Sequence, residues 1–288
     1  MVKRFDTSFD EYDPLFVTRT RASGSQARIY LRGLMQARRR NIERIRDAVP
    51  GSDEQALHHF IANSPWDHRP VLDKVARDAN ALLGGSDDSF LLIDETGFPK
   101  KGRDSVGVAR QWCGRLGKVD NCQTAVCASL GKGSIATLID TALFLPKEWT
   151  RDRARMAEAG IPEAFQTYRT KQELALDLIE RALENGVQFS WVGFDGFYGD
   201  NGQLLRMLDG TGLTFMGDVH CDQYLDSRSN HRQERQTTAG RRVGRFAGCR
   251  CVAADRDARR NQGTDGGGCP AWPGLALPTV RTRRTCGT

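Results

Sequence analysis

Apolar residues recur at helical spacing over the first part of the chain. One stripe predicts a single helix over 25–49, and it is formed by Leu31, Leu34, Met35, Ile42, Ile45 and Val49. Ser52 or Asp53 can cap the helix that follows, and a third helix is expected over 69–83. The pattern therefore predicts an all-helical N-terminal region over 1–86, with DNA binding as its candidate role.

Beyond this region the apolar pattern changes to that of strands. Strands are predicted at 90–93, 121–130, 135–145, 189–195 and 213–219, with helices at 170–185 and 202–208. The stretch 105–112 alternates only weakly and is compatible with a loop or a short hairpin arm. Three antiparallel strands followed by strands that return through helices, β-β-β-α-β-α-β, is the ribonuclease-H-like order. We therefore predict an α/β fold with a ribonuclease-H-like mixed sheet over 87–224.

Two aspartates end strands of this predicted sheet. Asp94 follows the apolar run 91–93, and Asp195 follows 191–194. In the ribonuclease-H-like order the ends of the first and fourth strands are adjacent, so both carboxylates are expected in one site. Paired carboxylates bind divalent cations, although an aspartate at a strand exit can also be a simple turn-former. Glu95 points to the opposite face of the strand and is expected to be structural.

The 288-residue chain carries a formal net charge of +6, and its charge is uneven. Arg is frequent over 225–288 and Lys is absent there, so the basic balance comes from the tail and does not show that the folded part binds nucleic acid. This tail follows neither a helical nor a strand period, and we predict that it is disordered. Its composition resembles that of a GC-rich gene read in a shifted frame, which gives the hypothesis of a frameshift-derived segment.

The chain lacks the run of roughly 20 apolar residues that a transmembrane helix needs, and its N-terminus lacks a signal-peptide pattern. A cytoplasmic location is therefore expected, where disulfides are rare. Single cysteines in or beside predicted strands are expected to act as small hydrophobes: Cys113, Cys122, Cys127 and Cys221.

Basic and aromatic side chains offer candidate DNA contacts. One cluster is a solvated helix face or a surface for the DNA backbone: Arg38, Arg39, Arg40, Arg44 and Arg46. A second set contacts phosphates near the aspartates or is solvated loop charge: Lys100, Lys101, Arg110, Arg115 and Lys118. Trp149 could stack on an unpaired base or pack in a core.

The region around the first aspartate resembles a known family. The stretch 94–102 reads DETGFPKKG, and 105–123 reads SVGVARQWCGRLGKVDNCQ. Further matching stretches are QALHHF at 55–60, SPWD at 64–67, LPKEW at 145–149, AGIP at 159–162 and DGFYG at 195–199. These motifs resemble bacterial insertion-sequence transposases with a DDE catalytic domain, of the insertion-sequence 701 type. The resemblance covers about residues 5–224, and 94–123 is its most specific part.

This resemblance implies a catalytic domain that binds two Mg²⁺ ions, with Mn²⁺ as a substitute. It implies DNA cleavage and strand transfer, with Asp94 and Asp195 as the first two catalytic and metal-binding carboxylates. The implied partners are double-stranded DNA, as the element's terminal inverted repeats and the target, and a second copy in a homodimer. No membrane partner is implied, and the protein would lie at the nucleoid when bound to DNA.

The third carboxylate of the family is a Glu on a helix beyond the last strand. Glu234 is the only Glu after Glu184, and it lies in a polar tract without a helical stripe, so we do not assign it this role. We therefore expect a partial, inactive copy of a transposase that lacks the third carboxylate. The alternatives are a non-enzymatic DNA-binding remnant and, more weakly, a stand-alone nuclease whose third ligand is Asp200 or Asp218.

Overall fold

A computed structural model of the chain describes residues 2–218, 243–246 and 249–252. The described part divides into two compact units, and the division falls between Val75 and Ala76, within a helix. The first unit is entirely helical, and the second contains a mixed sheet with helices.

The N-terminal unit consists of short helices around two small apolar clusters. Its elements are α1 (Val2–Asp10), a 3₁₀ turn (Asp13–Phe16), α2 (Gly24–Gln36), α3 (Ile42–Ala48), α4 (Glu54–Asn63) and the first half of α5 (His68–Leu83). In one cluster the rings of Phe9 and Phe16 stack at 5.8 Å, and Phe60 stacks on Trp66 at 5.6 Å. Aromatic burial of this kind gives a small unit a large apolar contribution. The helix and turn before residue 24 were not predicted.

The single helix predicted over 25–49 is wrong. The chain leaves the helical conformation at Ala37, and the Asn41 side chain begins α3 by accepting a hydrogen bond from the Arg44 N–H at 3.0 Å. Two residues of the predicted stripe are exposed, Leu31 and Met35. The predicted cap of the next helix is confirmed, since Asp53 accepts the Ala56 N–H at 2.6 Å.

The second unit is built on a six-stranded mixed sheet. Its strands are β1 (Ser89–Pro99), β2 (Ala109–Cys113), β3 (Lys118–Lys132), β4 (Ile135–Phe144), β5 (Trp191–Phe194) and β6 (Phe215–Gly217). Strand β3 pairs antiparallel with β1, β2 and β4, and β5 lies parallel to both β1 and β6. The order β4-β3-β1-β5-β6 confirms the predicted ribonuclease-H-like arrangement, and the open stretch 105–112 contains the short arm β2.

Strand β1 is longer than the apolar run that predicted it. It continues through Asp94 to Pro99, because β3 pairs with it along its whole length, from Ser89↔Lys132 to Pro99↔Cys122. Gly97 leaves room for Cys113 of β2, since a Cβ at position 97 would lie 2.8 Å from the Cys113 Sγ. The first candidate carboxylate therefore lies inside a strand, not at its end.

Helices pack on the sheet and link its strands. They are α6 (Lys147–Arg151), α7 (Arg153–Glu158), a 3₁₀ turn (Glu163–Phe165), α8 (Lys171–Glu184), α9 (Gly196–Gly199) and α10 (Gly202–Gly210). Helix α8 begins with a complete capping box formed by Thr170 and Glu173. Its fully buried Leu178 packs in the same core as Leu91 and Val126 of the sheet. Each such buried aliphatic side chain contributes about 1.5–3 kcal/mol to folding.

Three further predictions concern the cysteines, the membrane and the tail. Cys113 and Cys122 are buried free thiols and Cys127 is half-buried, while Cys221 lies outside the described residues. Among the described residues, the helices are all too short or too polar to cross a membrane. Within the predicted tail, β7 (Val243–Phe246) and β8 (Cys249–Val252) form an antiparallel pair, and the rest lies outside the described residues.

Candidate active site

The sheet brings the two candidate aspartates together. The parallel pairing of β1 with β5 ends at Ile93↔Phe194, and the next residue on each strand is an aspartate, Asp94 and Asp195. Neighbouring strands lie about 4.8 Å apart, so the backbones of the two aspartates lie side by side. Asp195 is close enough for its charge to affect the pKa of Asp94.

The carboxyl of Asp94 reaches solvent but is crowded by protein atoms. This partial burial raises its pKa above the ordinary value, and the negative charges of Asp195 and Glu95 act in the same direction. A hydrogen bond from the Glu95 N–H to Asp94 Oδ1, at 2.7 Å, opposes the shift. The site therefore concentrates negative charge, which favours a bound cation.

Asp195 is held by the turn that it starts. Its Oδ1 accepts a hydrogen bond from the Phe197 N–H at 3.1 Å, and the residue is the N-cap of the short helix α9. Gly199 allows this turn to pack against the end of β6, because a Cβ there would lie 2.1 Å from the Asp218 carbonyl oxygen. The second carboxylate is thus exposed on a short, tightly packed turn.

Glu95 has the structural role expected for it. Its Oε2 forms an ion pair with Lys171 Nζ at 2.5 Å, and both side chains are mostly buried, with 19% and 12% exposed. Lys171 is the first residue of α8, on the helical side of the sheet. Neither candidate aspartate has such a partner: among the described residues, Asp94 and Asp195 form no ion pair with a lysine or arginine.

Tyr198 lies close to the carboxylates of Glu95, Asp195 and Asp94. Its side chain is fully buried, and its hydroxyl has no hydrogen-bond partner among the described residues. Burial raises the pKa of Tyr198, and the nearby charges of Glu95, Asp195 and Asp94 raise it further. A buried hydroxyl without a partner is uncommon, and this one belongs to a residue that lies near the acidic groups of the site.

The aspartate pair can supply two hard oxygen ligands to a divalent cation, which fits the chemistry of such ions. Within the described ranges, no group of three His, Cys, Asp or Glu side chains could hold a metal ion. The structure therefore gives no support to Asp200 or Asp218 as the third ligand. Glu234 lies outside the described residues.

The candidate DNA contacts of this unit are on its surface. Lys100, Lys101, Arg110 and Arg115 are all exposed, and Lys118 is exposed but forms an ion pair with Asp120 at 2.9 Å. The turn that carries the two adjacent lysines is fixed by Asn121, whose side-chain amide donates to the carbonyls of Lys100 and Gly102. These side chains are therefore presented to solvent from an ordered turn.

The arginines of the cluster in the N-terminal unit differ in their contacts. Arg44 and Arg46 form ion pairs with Asp47, and Arg46 also pairs with Glu54. Arg40 donates to the Leu34 carbonyl at 3.0 Å. Arg38 and Arg39, at the corner between α2 and α3, are exposed and line a cleft of about 660 Å³.

Trp149 is a core residue and does not offer a base-stacking surface. Its ring is buried, its Nε1–H donates to the Val108 carbonyl at 2.9 Å, and Arg155 covers one face of the ring. Sequence reasoning missed Lys171 and Tyr198 as neighbours of the site. The matching motif at 195–199 contains Tyr198 and could have drawn attention to it, whereas nothing in the local sequence singles out Lys171.

A mixed sheet of ribonuclease-H-like order with two adjacent aspartates is typical of a class of proteins that process nucleic acids. Comparison with known families gives the assignment: residues 11–263 match the family model of the DDE superfamily endonucleases, and the chain belongs to this family. The chain is also 32% identical, over 190 residues, to a protein of Microchaete diplosiphon described as a probable transposase for insertion sequence element IS701. That match covers 66% of this chain and 47% of the relative, so the chain spans about half the length of the curated relative.

Proposed function

We propose that this chain is a transposase of an insertion sequence that cleaves DNA and transfers strands in a divalent-metal-dependent reaction. The observation that carries the proposal is the placement of Asp94 and Asp195 as adjacent carboxylates that have no cationic partner within the described part of the chain. Elsewhere in the same unit buried acids are compensated, as Asp140 is by Arg181 at 2.9 Å. An uncompensated pair of this kind favours a cation from solution.

In the proposed site Asp94 and Asp195 are the metal ligands, with Mg²⁺ as the ion and Mn²⁺ as its substitute. Asp94 and Asp195 would hold these ions, whose chemistry would be activation of the attacking oxygen and stabilisation of the leaving oxygen of a phosphodiester. The chain's own contribution is to hold the two carboxylates in place through the N–H groups of Glu95 and Phe197.

The DNA partner in this proposal contacts the exposed cations beside the site. Lys100 and Lys101 follow the end of β1, six and seven residues beyond Asp94. At the rise of a strand this is about 20 Å from the carboxylate, a distance that a duplex bound in the site spans. We propose that these lysines, with Arg110 and Lys118, bind backbone phosphates of the element's inverted repeats and of the target.

A second reading is a DNA-binding remnant that does not cleave. The absence, in the described part of the chain, of a third acidic ligand beside Asp94 and Asp195 favours it. In this reading the protein binds DNA and acts at most as a passive or inhibitory partner of an intact transposase. Homodimer formation and a location at the bacterial nucleoid belong to both readings.

A cleavage and strand-transfer assay on a duplex that carries the element's ends separates the two readings. In Mg²⁺ or Mn²⁺ the proposed transposase produces nicked and joined products, and Asp94→Asn removes them. The exposed Asp87, which precedes the opposite end of β1, provides the control Asp87→Asn, which leaves the products unchanged. Retained DNA binding without any product, equal in wild type and Asp94→Asn, would establish the remnant instead.

A further inference from the structure

Lys171 is an unusual first residue for a helix. The N-terminal end of a helix carries a partial positive charge, so an ammonium in the first turn is disfavoured. This lysine is nevertheless only 12% exposed. Such a placement requires compensating contacts around the ammonium group.

Three contacts compensate it, and they come from three different parts of the sheet unit. Lys171 Nζ pairs with Glu95 of β1 at 2.5 Å. It also lies 5.3 Å from the ring centre of Phe144, at the end of β4, and 5.4 Å from that of Phe197, in α9. Both rings are within the range of a cation–π interaction.

Two of these contact residues are also the residues that hold the candidate carboxylates. The Glu95 N–H donates to Asp94, and the Phe197 N–H donates to Asp195. One ammonium group therefore contacts the side chains of both residues whose backbone groups orient the aspartates. This connection runs through the sheet, since Glu95 and Asp94 point to opposite faces of β1.

We propose that Lys171 is a positioning residue that sets the separation and orientation of Asp94 and Asp195. It acts through Glu95 and Phe197 and does not itself touch a ligand. This inference rests on the proposed function only for its consequence, metal affinity. The geometric claim itself can be tested without metal.

The metal-free test is amide hydrogen exchange in the full chain, measured by NMR. In Lys171→Met, which keeps the apolar stem and removes the charge, the amides of Glu95 and Phe197 exchange about fivefold faster or more. Amides in the core of α8, such as that of Leu178, keep their rates, because the change is local. Lys171→Arg restores part of the protection.

Lys147→Met is the matched control, because Lys147 also lies over an aromatic ring, at 4.9 Å from that of Tyr168, but contacts neither Glu95 nor Phe197. It leaves both amides unchanged. If Lys171→Met does not fold, the double variant Glu95→Gln/Lys171→Met, which leaves no unpaired charge, takes its place with the same expectation. Unchanged exchange at both amides, or faster exchange across α8 as a whole, would overturn the positioning role.

The second readout is the Kd for Mn²⁺, measured on the same proteins. Lys171→Met weakens Mn²⁺ binding about fivefold, and Lys147→Met does not. If the wild type binds no Mn²⁺, the proposed metal site fails while the exchange data still decide the role of Lys171. If the wild type and Lys171→Met bind Mn²⁺ equally, the positioning role is refuted and the metal site stands.

Discussion

Acidic side chains of the helical unit differ from the two candidate aspartates of the sheet unit in their ion pairing. In the helical unit the main acidic side chains have basic partners: Asp6 pairs with Arg32, Asp10 with Arg28 at 2.6 Å, and Glu54 with Arg46 at 2.8 Å. In the sheet unit Asp94 and Asp195 lie side by side, and none of the residues that the structure describes forms such a pair with them. The ion-paired acids stabilise the fold, whereas Asp94 and Asp195 are available for binding.

The contrast extends to the pKa values. In the helical unit the hydrogen bond from Arg32 lowers the pKa of Asp6, so its ionised form stabilises the fold. In the sheet unit burial raises the pKa of Asp94, so its ionised form opposes folding. An ionised group that is unfavourable for folding but accessible to solvent is a candidate functional group. We propose that Asp94 binds a cation.

The largest effect, on the free energy of unfolding, is expected when an ion pair within the sheet unit is removed. Arg181 pairs with Asp140, whose side chain is only 6% exposed. Arg181→Met removes the ion pair of this buried carboxylate and lowers the free energy of unfolding by about 3 kcal/mol, measured by urea denaturation. Arg206→Met, at an exposed position of α10, is the control and changes the value by less than about 0.5 kcal/mol. Equal stability of the two variants would show that the ion pair does not hold the fold.

An intermediate effect is expected for the exposed lysines beside the site. Lys100→Gln/Lys101→Gln weakens binding to a duplex with the element's ends about tenfold at 0.1 M salt and lowers the salt-dependence slope by about two. Lys118→Gln has a smaller effect, because Asp120 already partly neutralises that charge. Fluorescence anisotropy at several salt concentrations measures both. An unchanged slope in the double variant would place the DNA elsewhere.

The smallest effects have opposite signs in the two units. At pH 7 Asp94→Asn raises the Tm, because it removes a carboxylate whose folded pKa lies above the ordinary 3.8, while Asp6→Asn lowers the Tm. Both changes are on the order of 2 °C. The gain in Asp94→Asn fades as the pH falls towards 3.8, and the loss in Asp6→Asn fades below 3.8, as the pH falls through the lowered pKa of Asp6. Thermal unfolding between pH 3 and 7 measures both, and changes of the same sign would remove the contrast.

The sheet could be predicted from the sequence because its strands are either strongly apolar or joined by clear turns. The end of β1 could not, because Asp94, Glu95 and Thr96 interrupt the apolar run and only the pairing with β3 extends the strand. The break between α2 and α3 was also missed. The apolar stripe continues in phase across residues 37–41, so periodicity alone does not show that Asn41 starts a new helix.

The candidate site was partly predictable. Asp94 and Asp195 each follow an apolar run in the sequence, and the predicted strand order alone makes them neighbours. Lys171 could not be found in this way, since its contacts with Glu95 and Phe197 join residues far apart in the sequence. Tyr198 lies in the motif at 195–199, but its burial depends on the packing of α9 against β5 and β6.

The central claim is that Asp94 and Asp195 together form a binding site for a divalent cation. Titration of the full chain with Mn²⁺, followed by electron paramagnetic resonance of the free ion, tests it most directly. We predict saturable binding in the wild type and a Kd at least about tenfold higher in Asp94→Asn and in Asp195→Asn, with Asp87→Asn unchanged. Equal Mn²⁺ affinity in the wild type and both aspartate variants would contradict the claim.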